Sequence, residues 1–149
     1  MKVVGYGELD CPFFAGTCRL ALADYLSEYG LTEQRLTPGG GIVFRDSDMF
    51  VEIGYDVNLF PDYPIRVTIG LGERAYSDTA RFSGVPMWYI ISTGHPYRTK
   101  VHWTFRTAGD LTRVLAEVRT DFLAPIAIPL LRDHEALERV SRSFHAEFG

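Results

Sequence analysis

The sequence is poor in the residues that usually announce chemistry. Only two cysteines occur in 149 residues, Cys11 and Cys18. Seven positions apart on a helix they are separated by a rise of about 10 Å, more than the ~7 Å between alpha carbons that a bridge tolerates. They are therefore not expected to pair, and both read as small buried thiols. His95, His102, His134 and His145 supply no second pair at zinc-ligand spacing, so no metal is expected.

Lysine is equally scarce. Lys2 and Lys100 are joined by thirteen arginines, and these fifteen cations face nineteen carboxylates for a net charge of -4. That balance gives no broad pull toward a phosphate backbone, so a nucleic-acid partner is not expected. Long apolar runs are missing too. The longest, residues 122–131, is interrupted by Pro125 and Pro129 and falls short of the ~18 residues of a membrane span. Residues 1–10 lack the apolar stretch of a secretion signal, having only Val3 and Val4 before Gly5. A cytosolic protein with no membrane partner is the expectation.

What is present is ordinary globular composition, 46% hydrophobic, 13% aromatic and 23% charged. It implies a single domain over residues 1–149 with a core that stands without staples. Residues 12–29 place Phe14, Cys18, Leu22, Tyr25, Leu26 and Tyr29 at helical steps, with Asp10 as cap and Gly30 as exit. From Gly41 the period becomes two. Ile42 and Phe44, then Met49, Val51, Ile53 and Tyr55, form a hairpin around Ser47 and Asp48. Ile65, Val67, Ile69 and Leu71 predict a third strand. The almost wholly apolar residues 85–91 predict a fourth, and Val101, Trp103 and Phe105 a fifth. Thr107 and Asp110 approximate a capping box ahead of Leu111, Val114, Leu115 and Val118. Pro125 and Pro129 are expected to kink or break the apolar stretch 123–131, and Asp133 to cap a closing helix striped by Leu137, Val140 and Phe144. The fold class is α+β: a two-layer sandwich of about five mostly antiparallel, sequentially paired strands with helices packed on one face.

Strings that resemble catalytic motifs lack their context. Gly70-Leu71-Gly72-Glu73-Arg74-Ala75 fits a dinucleotide fingerprint, but Tyr76-Ser77-Asp78-Thr79 comes next in place of a helix, and no acidic strand end comes about twenty residues later. No cofactor is expected. The glycines at 39–41 lead into a strand without the lysine of a phosphate loop, and no Gly-x-Ser-x-Gly elbow occurs. Asp46, Asp48 and Glu52 form a local carboxylate cluster without the spacing of a calcium loop.

The alternation puts Arg45, Glu52, Arg66, Thr68, Trp88, Ile90, His102, Thr104 and Arg106 on the side of the sheet away from the helices. Apolar, aromatic and arginine side chains together are the composition of interface patches. Arg45, Glu52, Arg66, Trp88, His102 and Arg106 are thus the candidate binding residues, and no catalytic residue is assigned.

The helix ending in Tyr29-Gly30-Leu31, the hairpin of Gly41-Ile42-Val43-Phe44 and Phe50-Val51-Glu52-Ile53, and the Asp110-Leu111 helix resemble small uncharacterised bacterial α+β domains grouped with toxin-immunity proteins. The resemblance implies a stoichiometric binder that covers a partner's working surface and carries no catalytic residues. The leading expectation is therefore a non-catalytic, cytosolic, immunity-like protein-binding module. One alternative is a hydrolase-like small-molecule enzyme with His102 as base between Arg66 and Arg106. Another is a self-associating subunit, such as a homodimer, joined through residues 85–91.

Overall fold

Helix α1 (Phe14–Ser27) forms where its apolar residues repeat at three- and four-residue steps, and Phe14, Cys18, Leu22, Tyr25 and Leu26 are all buried. Its exit is a Schellman turn. Gly30 takes φ +81°, its N–H bonds Ser27 O at 3.0 Å, and Leu31 N–H reaches back to Leu26 O at 3.1 Å. The buried Leu31 then locks the chain into the sheet. The computed structural model describes residues 12–37, 39–59, 61–72, 84–94 and 103–148. Asp10, expected to cap α1, and Cys11 lie outside them.

The architecture is α+β, an antiparallel sheet whose strands stand in the order Thr32–Leu36, Ile42–Arg45, Met49–Tyr55, Tyr63–Leu71 and Gly84–Pro86 (β1 to β5), with Thr104–Phe105 (β6) also paired to β4. Strands β2 (Ile42–Arg45), β3 (Met49–Tyr55) and β4 (Tyr63–Leu71) form its centre, in register Phe44↔Val51↔Ile69 and Ile42↔Ile53↔Val67. The β2–β3 turn is held by Asp46, whose Oδ1 accepts from the N–H groups of Asp48 and Met49 at 2.7 and 2.9 Å.

Strand β1 (Thr32–Leu36) has no counterpart in the sequence-based expectation. It is nearly all polar, mostly exposed, and carries a bulge between Glu33 and Arg35, as befits a blunted sheet edge. The expected strand over residues 85–91 needs correction. Only β5 (Gly84–Pro86) is extended, and the chain then turns into α2 (Met87–Gly94). Pro86 has no N–H to extend a ladder, and Met87, Ile90 and Ile91 bury themselves at helical spacing. Of the last expected strand, Val101 and His102 lie outside the described residues. β6 (Thr104–Phe105) pairs with the start of β4 through Tyr63↔Phe105, whereas β5 pairs with the far end of β4 through Ile69↔Val85. The two do not pair sequentially with each other.

Thr107 caps α3 (Ala108–Val118), its side chain accepting from Asp110 N at 3.1 Å. The expected kink at Pro125 takes a different form. The chain stays helical but widens into a π-helical segment, Arg119–Ala127, before α4 (Ile128–Arg132). Pro125 cannot donate and would collide with the carbonyl four residues back in an α-helix, and the wider turn relieves that collision. Pro129 falls in the first turn of α4. Asp133 then accepts from Ala136 N at 3.1 Å and opens α5 (His134–Phe148), which carries the Glu135–Arg139 and Glu138–Arg142 pairs.

Buried residues from every one of these helices join Ile42, Phe44, Val51, Ile53, Val67, Ile69, Val85 and Phe105 in one core cluster. The helices therefore form one layer and the sheet the other. On the reverse face Val43 and Phe50 form a separate buried cluster. The Phe50 ring lies over Gly70 and Gly84, where added Cβ atoms would come within 2.8 and 3.0 Å of its Cζ.

Candidate functional site

The register confirms that Arg45, Glu52, Arg66, Thr68 and Thr104 share the reverse face. Glu52 sits directly opposite Thr68, and Thr104 opposite Pro64. This face is more closed at its centre than an open contact surface would be, because Val43 and Phe50 are fully buried and Thr68 nearly so. The arginines are committed locally. Arg45 Nε donates to Asp46 O at 2.9 Å and its Nη2 to Gly72 O at 3.2 Å, while Arg66 Nη2 donates to Tyr55 O at 3.3 Å. At the end of β6, Arg106 makes a two-point ion pair with Asp62. His102 lies outside the described residues.

Trp88 and Ile90 are placed differently from the sequence-based expectation. Both leave the sheet with α2. Ile90 is 4% exposed and belongs to the main core, whereas Trp88 projects outward, 40% exposed. The helical step explains the difference: the face that buries Met87, Ile90 and Ile91 leaves position 88 on the flank.

Beside Trp88 lies the end of α5. Residues Ala136, Val140, Phe144 and Phe148 succeed one another at four-residue steps and make a single ridge along that helix. Phe144 is buried, and Phe148 is 53% exposed. Trp88 meets Phe148 edge to face at 5.4 Å between centroids, and Phe144 meets Phe148 at 5.1 Å. Tyr89 packs edge-on against Phe144 at 5.1 Å. Two large rings are thus presented to solvent on a buried aromatic footing, which fixes their orientation at little entropic cost.

Further along the ridge, toward Ala136, a groove of about 330 Å³ opens between α2, the π-helical segment and α5. Ile90, Pro125, Ile126, Pro129, Leu130 and Val140 supply its apolar lining. Its polar groups are already engaged: Thr93 Oγ1 donates to Tyr89 O at 2.7 Å, and Asp133 caps α5. What remains on offer is apolar contact.

Among the described residues no group of three His, Cys, Asp or Glu side chains is placed to hold a metal ion, and Asp46 is spent on its turn. No described helix is long and apolar enough to cross a membrane. Burial pushes the Cys18 thiol well above its usual range, so it is held protonated in the core.

Sequence reasoning found Trp88 but missed Phe144 and Phe148 as its companions. The signal was the four-residue spacing of two phenylalanines at the chain's end, readable only once α2 is known to be a helix lying beside α5. Comparison with protein-family models, curated protein sequences and solved structures finds no match to the chain. The functional reading therefore rests on this geometry.

Proposed function

We propose that the protein is a non-catalytic protein-binding module that docks through the Trp88–Phe148 patch and the adjoining groove, in the manner of an immunity protein covering a toxin. The single observation that supports this reading is the edge-to-face pair of exposed rings seated on buried Phe144. Interface hot spots are enriched in tryptophan and gather where an aromatic anchor meets a water-excluding surround. The hydrolase-like alternative draws less support. Arg106, one edge of its supposed pocket, is held by Asp62.

The test uses the full chain and the product of the adjacent gene, with affinity measured by calorimetry. A tight complex is expected, and Trp88→Ala with Phe148→Ala should weaken it at least about a hundredfold, two hot-spot truncations of ~2 kcal/mol each allowing for imperfect additivity. Circular dichroism should stay native, since both rings are half exposed. A complex of undiminished affinity in the double variant overturns the proposed surface. Sedimentation of the free protein covers the remaining alternative: a dimer that the same double variant dissociates would make a second copy the occupant.

A further inference from the structure

Away from that patch, two tyrosines and two arginines meet at the C-terminal end of α1. Tyr25 and Tyr29 stand one turn apart with ring centroids at 5.4 Å. The Arg119 guanidinium, from the start of the π-helical segment, lies 4.3 Å above the Tyr25 ring, and that of Arg132, at the end of α4, lies 5.0 Å from the Tyr29 ring. Three segments distant in sequence thus deliver two cations to one pair of phenols.

A cation–π contact leaves the five N–H donors of a guanidinium available, and among the described residues neither Arg119 nor Arg132 makes an ion pair with a carboxylate. A guanidinium held beside a ring and not paired with a carboxylate is suited to two-point recognition of an oxyanion. The phenols add a second incomplete feature. Tyr25 is 8% exposed, and its hydroxyl, though beside that of Tyr29, is buried without a formed hydrogen bond. Buried polar groups are nearly always satisfied, so an unmet one asks for a partner.

We infer that Arg119, Arg132 and Tyr29 form a binding site for a phosphate-class oxyanion, with Tyr25 as the positioning residue behind it. The anion accepts from both guanidinium groups and from the hydroxyl of Tyr29, a half-buried residue. Donating outward, Tyr29 turns a lone pair toward Tyr25 and accepts its proton, so a chain of hydrogen bonds runs from Tyr25 through Tyr29 to the anion. Burial and the neighbouring Tyr29 raise the Tyr25 phenol above its ordinary range, which keeps it a donor. Glu28 and the carbonyl end of α1 oppose the anion and keep the affinity modest.

The experiment monitors the arginine side-chain Nε–Hε and tyrosine ring resonances of the full chain during titration with inorganic phosphate, with O-phosphoserine, and with sodium chloride at matched ionic strength. Saturable shifts at Arg119 and Arg132 are expected with a dissociation constant on the order of 1 mM. Tighter phosphoserine binding would assign the site to a phosphomonoester, and tighter inorganic phosphate to the free ion. Arg119→Gln and Arg132→Gln, both at exposed positions, should each weaken binding about tenfold. Tyr25→Phe should weaken it less and abolish the shift of the Tyr29 ring, and Glu28→Gln should tighten it about twofold. Shifts that track chloride as closely as phosphate, or arginine variants that bind like the parent, overturn the site.

Discussion

Arg106 and Asp62 grip each other through two parallel hydrogen bonds, Nε to Oδ1 at 2.5 Å and Nη2 to Oδ2 at 3.1 Å. The pair joins the end of β6 to the loop that opens β4, two points 44 residues apart in sequence. Arg19 and Glu33 make the same two-point contact at 2.6 and 2.9 Å and tie α1 to the edge strand β1. All four groups are solvent-exposed enough that each pair positions a segment more than it stabilises the fold.

The Asp62 pair has a pH signature. The hydrogen bonds and charge of Arg106 hold the Asp62 carboxyl below its ordinary range. A carboxyl depressed in the folded state contributes its stabilisation above the unfolded value of about pH 4 and loses it as pH falls through the lower folded value. Carboxyl-carbon NMR should therefore show Asp62 titrating below the other surface aspartates, and Arg106→Gln should return it to the common range. An Asp62 midpoint unaffected by that substitution would contradict the geometry.

Close packing on the reverse face gives a second expectation. A methyl group added at Gly70 meets Phe50 Cζ at 2.8 Å and Gly84 Cα at 2.9 Å, and the second of these is backbone that cannot swing aside. Gly70→Ala should lower stability by about 1–3 kcal/mol in urea denaturation. Adding Phe50→Leu should cost less in that background than in the parent, since the smaller side chain gives way.

A third concerns Cys18. Fully buried and held as the thiol, it offers no thiolate to an alkylating reagent while the protein is folded. In a Cys11→Ser background, iodoacetamide should label Cys18 only through unfolding, at a rate that rises with urea as the unfolded population does. Fast labelling in the absence of denaturant would place the thiol at the surface.

How much of this was visible in the sequence depended on whether a segment had a period of its own. β4 alternates cleanly, β2 and β3 do so apart from apolar Val43 and Phe50 on the reverse face, and α1, α3 and α5 carry helical stripes, so these elements and the α+β class could be read directly. β1 could not, because Thr32, Glu33, Gln34 and Arg35 bury almost nothing and are extended only by pairing with β2. Residues 87–91 are apolar at every position, so the pattern has no phase, and the choice between strand and helix was made by Pro86 and by the core they meet. Moving that one segment took Trp88 off the sheet face and set it against Phe148. Contacts such as Trp88 with Phe148, or Arg119 with Tyr25, join residues 60 or more positions apart, which no local pattern encodes.

The widened helix around Pro125 also makes the length of this stretch matter more than its composition. An α-helix turns about 100° per residue and the wider π winding somewhat less, so removing one residue between 119 and 127, with Pro125 still keeping the winding wide, would swing everything after it by about one such step. Pro129 and Leu130 would rotate off the groove and Arg132 away from Tyr29, undoing both surfaces at once with every other side chain intact. Substitutions in the segment are local in effect, whereas single-residue deletions there act as a rotary fault in the whole C-terminal part of the protein.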